Sequence, residues 1–238
     1  ELVFRNHGFG GDKVNNRPRN SGFPSADAYL EISKADVILA LWGYNESFDN
    51  SPDAYRADLT KWIDETNGKK YNDKGAPTIV LFSPIAHENL GQANLPDGSA
   101  NNERLAKYAE VTRQVANEKG VEFVDLFALS QDLYERSKLP LTINGIHLTS
   151  KGNNQLARGI HKSLFGKSPR ASGRKLARIR DAVLDKNWHW YNRYRATDGN
   201  DVWGGRSGLS FVDGQNNRTV LQHELIMLDQ MAANRDQQ

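Results

Sequence analysis

Val37-Ile38-Leu39-Ala40-Leu41-Trp42 is an unbroken apolar run that ends in Gly43-Tyr44-Asn45-Glu46. A short, continuous run of β-branched and aliphatic residues reads as a strand buried on both faces, as in a parallel sheet covered by helices. Three more runs share that character: Leu2 to Arg5, Thr78 to Phe82 and Val121 to Leu126. The stretches between them carry apolar residues at helical spacing. Asp53 to Thr66 places Tyr55, Leu59, Trp62 and Ile63 on one stripe. Asn102 to Lys119 does the same with Leu105, Tyr108, Val111, Thr112 and Val115, and Ser150 to Phe165 is a third such segment. Gly120 stands where a helix C-terminal glycine is expected. Alternating strands and helices predict an α/β fold, a doubly wound parallel sheet between helical layers.

Composition narrows the function classes. The 238 residues are enough for one full domain and an appendage. Apolar content of 38% is low, which fits a small core with long polar loops. Cysteine is absent, which removes disulfides, thiol nucleophiles and thiolate metal sites. No apolar run approaches the roughly 18 residues of a membrane span. A net charge of +2 gives no reason to expect a nucleic-acid partner. No glycine loop of the length that cradles phosphates is present, so a flavodoxin-like nucleotide binder ranks low and no cofactor is expected. Asp198, Asn200 and Asp201 offer oxygen ligands in a glycine-rich loop, but without the spacing of a calcium loop; a structural turn is expected and no metal.

Three short blocks carry the chemistry. Asn6-His7-Gly8-Phe9-Gly10-Gly11-Asp12 follows Leu2-Val3-Phe4, Gly43-Tyr44-Asn45-Glu46 follows the second run, and Asn144-Gly145-Ile146-His147 comes just before a helical stretch. Each alone is common. Asn45-Glu46-Ser47 also matches a glycosylation sequon, as does Asn217-Arg218-Thr219. Together and in this order they resemble the second, third and fifth blocks of the SGNH (GDSL-type) esterases. The resemblance implies a flavodoxin-like SGNH fold and acyl transfer by serine. It gives the oxyanion to the Gly11 backbone N–H and the Asn45 side chain, and the general base to His147. Asn144 stands where that family usually has Asp; an amide can still accept from the imidazole but carries no charge.

The Gly-Asp-Ser block that bears the family's nucleophile is absent. With it goes the first, central strand, and a truncated start is the favoured explanation over a rearranged sheet. Phe82-Ser83-Pro84-Ile85-Ala86-His87-Glu88 extends the likeness, as does the whole span from Arg5 to Gly166. The tail from Asp185 to Trp190 and on through Arg193 to Gly199 adds to it. These resemble a planctomycete-type subgroup, in which the module often belongs to a larger exported chain, periplasmic or extracellular. The implied partner is a small-molecule or carbohydrate ester. The alternative is an inactive SGNH domain acting as a carbohydrate-binding or scaffold module.

Two divisions are expected, an SGNH-like α/β domain over 1–166 and a mostly helical extension over 167–238. In the extension Leu221, Leu225, Ile226, Leu228 and Met231 share one face. Trp188, Trp190, Tyr191 and Tyr194 are read as the anchor that docks it, ahead of a sugar-stacking surface. The basic stretch from Lys167 to Lys186 reads as a solvated helix face. His87 reads as a structural loop histidine, and Ser83 as a poor substitute nucleophile because Pro84 follows it.

Overall fold

A computed structural model describes residues 2–19, 22–167, 173–196 and 199–238. The chain forms two compact units, one of Lys13–Arg17 and Lys34–Pro169, the other of Glu1–Asp12, Pro18–Ser33 and Arg170–Gln238. In chain order the elements are α1 (Ala26–Ile32), β1 (Val37–Leu41), a 3-10 turn (Glu46–Asp49), α2 (Pro52–Asn67), β2 (Thr78–Phe82), α3 (Ser99–Lys119), β3 (Glu122–Val124), α4 (Leu126–Arg136), α5 (Ser150–Phe165), α6 (Gly173–Arg195), α7 (Gly199–Val202) and α8 (Asn217–Asp236).

The first unit is α/β. Among the described residues its sheet has three parallel strands in the order β1-β2-β3, with Val37 beside Thr78 and Val80 beside Glu122. Strand alternation sends Ile79 and Leu81 to one face, where they pack with Ala40, with Tyr55, Leu59 and Ile63 of α2, and with Tyr108, Val115 and Ala116 of α3. Val80 and Phe82 point the other way, against Val124, Leu126, Leu156 and the inner faces of α4 and α5. Two helical layers therefore sandwich the sheet, as the alternation of elements predicts. Each fully buried side chain such as Leu59 or Ile63 contributes roughly 1.5–3 kcal/mol. Gly120, at φ +65°, closes α3 in the left-handed conformation.

β1 is different. It is hydrogen-bonded only to β2 among the described strands, and Val37, Leu39 and Leu41 on its second face are 53%, 41% and 59% exposed. The third strand is shorter than the sequence predicts. Asp125 leaves the ladder and accepts from the Ala128 N–H, capping α4, so the apolar run that starts at Val121 becomes a strand and then a helix.

The second unit is helical and aromatic. α6 packs on α8, tied by ion pairs from Arg193 to Asp229 at 2.7 Å and from Arg235 to Asp185. Tyr29 of α1 is buried against Trp190 and Tyr194 of α6, with Phe9 and Phe23 beside them. Trp203 and Val202 pack with Ala196 and Leu225. The expected strand from Leu2 to Arg5 does not form. Leu2, Val3 and Phe4 are 82%, 52% and 61% exposed, and their stretch has no ladder partner among the described residues. Side chains of α6 take its carbonyls instead: Lys186 Nζ donates to Phe4 O at 2.6 Å, Trp190 Nε1 to Asn6 O at 2.8 Å, and Arg195 to Gly8 O at 2.6 Å. Once the acceptors are satisfied this way, an irregular segment costs little.

Candidate functional site

In the α/β unit, β1 delivers the chain to the C-terminal end of the sheet at Gly43. Its φ of +103° favours glycine, and an added Cβ would also stand a tight 3.2 Å from the Tyr55 hydroxyl. Glu46 is buried, and its carboxylate accepts from Gly43 N at 2.9 Å and Val14 N at 2.8 Å, which fixes the turn from below. Ser47 Oγ donates to Tyr44 O at 2.7 Å. Asn45 stands half-buried at the start of the 3-10 turn. Beside it the Tyr44 and Phe48 rings meet edge to face, 5.5 Å apart, and the Arg104 guanidinium of α3 lies 5.3 Å from the Phe48 ring. Burial pushes the Tyr44 hydroxyl pKa up, against the pull of Arg104.

The second turn runs from Leu141 to Thr149. Asn144 Oδ1 accepts from the backbone N–H of Ile146 at 3.3 Å and of His147 at 3.0 Å. An atom that accepts from two backbone N–H groups is the amide oxygen, so the 3.1 Å contact to His147 Nδ1 is a donation from the ring. The neutral imidazole is thereby held with its proton on Nδ1 and its lone pair on Nε2, and the residue is exposed. That is the tautomer a general base needs.

The segment after β2 joins the two turns. Glu88 N donates to Gly145 O at 2.8 Å. His87 is buried beneath Gly145, whose φ is +89° and whose added Cβ would fall 2.2 Å from His87 Nε2. Asn101 Nδ2 donates to His87 Nδ1 at 2.8 Å, and Arg104 donates to Asn101 Oδ1 at 2.5 Å. A chain of contacts thus runs from the His147 turn through His87, Asn101 and Arg104 to Phe48, three residues beyond Asn45. The Asn45 turn follows the C-terminal end of β1, and the His147 turn is tied through Glu88 to the segment that leaves the C-terminal end of β2, the side on which ligands bind in open α/β folds. Ser83 is fully engaged: its hydroxyl bonds Asp125 Oδ1 at 3.1 Å and accepts from Phe127 N at 2.9 Å.

Gly11 belongs to the other unit. It has φ +84° with no heavy atom within 4 Å of an added Cβ, so backbone conformation rather than crowding calls for glycine there. In that unit Trp190 and Tyr194 are buried while Trp188 and Tyr191 are 61% and 54% exposed. Asn200 Oδ1 accepts from Gly205 N at 3.0 Å and Asp201 pairs with Arg206 at 2.7 Å, a self-satisfied turn; Asp198 lies outside the described residues. Among the described residues no helix is long and apolar enough to cross a membrane. Glu46 and Glu88, two buried carboxylates that hold the turns, carry no spacing signal in the sequence.

No curated protein matches the chain. Among solved structures, an acetylxylan esterase from Geobacillus stearothermophilus is 21% identical, with 68% of this chain and 72% of that one covered at a TM-score of 0.48. A lipase/acylhydrolase from Enterococcus faecalis is 19% identical over 60% of this chain and 67% of its own, at 0.42. The model of the GDSL-like lipase/acylhydrolase family matches residues 1–155, and with more than half of its length so matched the chain belongs to that family.

Proposed function

We propose that this chain is the body of an SGNH-type ester hydrolase acting on small acyl or carbohydrate esters. The observation that carries the reading is the hydrogen bond from His147 Nδ1 to Asn144 Oδ1, which leaves Nε2 free to take a proton from a nucleophile and return it to the leaving alcohol. Asn45 would donate its side-chain N–H to the oxyanion, a contribution of about 3 kcal/mol to the transition state. The resemblance assigns the second donor to the Gly11 N–H, and its positive φ supports a tight turn there.

Among the described residues no serine hydroxyl is hydrogen-bonded to His147. Among the described residues, the open edge and exposed second face of β1 leave a place for a further strand, and support a nucleophile carried on such a strand. The Phe82–Glu88 stretch and the aromatic tail favour the planctomycete-type subgroup of exported proteins. A second reading, an inactive SGNH domain serving as a carbohydrate-binding or scaffold module, draws support from Asn144 in the place of an aspartate.

A fluorophosphonate probe separates the two. The 238-residue chain alone should not be labelled. The protein isolated from its source should be labelled and should hydrolyse p-nitrophenyl acetate, with both lost in His147→Ala. A source protein that neither reacts with the probe nor hydrolyses the ester would favour the inactive module.

A further inference from the structure

We infer that Glu88 is the positioning residue for the general base, acting through Thr142 and Gly145. The inference rests on the role proposed for His147. Glu88 is buried, and no cation pairs with it among the described residues. Its two oxygens are filled by donors instead: Leu141 N at 3.0 Å, Thr142 N at 2.7 Å and the Thr142 hydroxyl at 2.6 Å.

Those donors are the first backbone groups of the turn that carries His147. The Thr142 hydroxyl, having given its proton to Glu88, accepts from Gly145 N at 3.0 Å. The Glu88 N–H donates to Gly145 O at 2.8 Å. Gly145 is therefore gripped at both its N–H and its carbonyl by one residue and its hydrogen-bonded neighbour. It lies between Asn144, which orients the imidazole, and His147 itself.

The frame behind Glu88 is rigid. Ala86 N donates to Ser130 Oγ at 2.8 Å and Tyr134 Oη donates to Ala86 O at 3.2 Å, both from α4. His87 is held at both backbone groups by the Asn102 side chain of α3, at 2.7 and 3.0 Å. Helices α3 and α4 thus fix Glu88, and Glu88 fixes the turn. Leu141, Thr142 and Gly145 are buried while Asn144 and His147 are exposed, so the buried base of the turn, where Glu88 acts, anchors the exposed tip that carries the ring.

A carboxylate suits this site: Leu141 N reaches both oxygens at 3.0 Å, and a glutamine that kept its oxygen toward Thr142 would turn its NH₂ against the Leu141 N–H, a donor facing a donor. The chemistry also explains the threonine at 142, since the hydroxyl must donate to Glu88 and accept from Gly145 at once.

The test uses Glu88→Gln, Thr142→Val and Thr142→Ser in this chain, with folding checked by circular dichroism. The reading is ¹⁵N-detected ring NMR of His147 and amide hydrogen exchange across 143–147. Wild type and Thr142→Ser should show the Nδ1–H tautomer and slow exchange. Glu88→Gln and Thr142→Val should show mixed tautomers and exchange at least about tenfold faster. In the source protein kcat should fall on the order of 100-fold with little change in KM, as expected for a base displaced by about an ångström. A folded Glu88→Gln with wild-type His147 signals and exchange overturns the inference; if that variant does not fold, an unchanged Thr142→Val does so. If instead the NMR effects appear while His147→Ala leaves hydrolysis intact, the positioning stands and the role given to His147 fails.

Discussion

The two compact units of this chain are held together by different means. The α/β unit relies on regular alternation: successive residues of β2 feed two aliphatic clusters, and its helices present stripes to them. The other unit relies on aromatic rings and on side-chain donors from α6 that satisfy the carbonyls of an irregular segment nearly two hundred residues earlier in the chain. Leu2-Val3-Phe4 and Val37-Ile38-Leu39 look alike as sequence. One becomes coil and the other a strand because only the second finds a neighbouring strand. Apolar character proposes a strand, and a partner edge decides it.

The sharpest way to break the comparison is Trp190→Ala. That indole is buried against Tyr29 and Tyr194, stacks parallel to the Tyr194 ring at 6.1 Å, and donates to Asn6 O. Its loss should cost about 3–5 kcal/mol. Hydrogen exchange should rise across residues 2–9, which have no ladder to fall back on. Unchanged protection of that segment would mean that α6 is not what orders it.

Gly145→Ala should follow, at about 2 kcal/mol or more, because the alanine meets both a positive φ and the buried His87 ring at 2.2 Å. Gly11→Ala meets only the positive φ and should cost about 1 kcal/mol. Urea melts of the two variants compare a crowded glycine with an uncrowded one. Equal losses would show that the His87 contact relaxes freely.

The aromatic unit should also be the acid-sensitive one. Burial, followed by the nearby Arg5 charge, lowers the His7 pKa from 6.5 to about 4. Its Nε2 donates to Ser33 Oγ at 3.0 Å, since that hydroxyl gives its own proton to Tyr29 O. The folded protein holds this ring neutral while the unfolded chain protonates it below about 6.5. Stability from this group is thus complete above that pH and is lost as pH falls toward 4, by at most about 3 kcal/mol. His7→Phe should flatten the fall in unfolding free energy between pH 7 and 4.5. An equally steep fall in the variant would place the acid sensitivity elsewhere.

Most of the α/β unit is legible because its signals are local. Thr78–Phe82 and Ser150–Phe165 match their predicted bounds, and Gly120 ends its helix as a left-handed cap. α4 is hidden because the apolar run from Val121 continues into it, and the only mark of the change is the capping Asp125. At the site, Asn144 and His147 are legible as a motif. Glu46 and Glu88 are not, because each acts on backbone N–H groups remote in sequence, and any residue with an N–H can supply them. The same remoteness hides the coupling of residues 2–9 to α6.

The smallest expected effect sharpens the reading of the base itself. Asn144→Asp keeps the oxygen that accepts from His147 Nδ1 and from the backbone of Ile146 and His147, so the turn geometry should survive. What it adds is a charge beside the imidazolium that would form in the proposed reaction, where Nε2 takes the proton. In a buried serine-protease triad the reverse change costs about 10⁴ in turnover. Here both residues are exposed, and water screens an exposed pair to a fraction of its buried strength. The gain in kcat/KM of the source protein should therefore be nearer tenfold, about 1.4 kcal/mol of transition-state stabilisation. Asn144→Ala should move the rate the other way, by removing the acceptor that sets the tautomer. If Asp and Asn give the same rate while Ala lowers it, the position supplies orientation alone. If all three are equal, His147 is oriented by the turn that Glu88 and Thr142 hold, and the amide is dispensable.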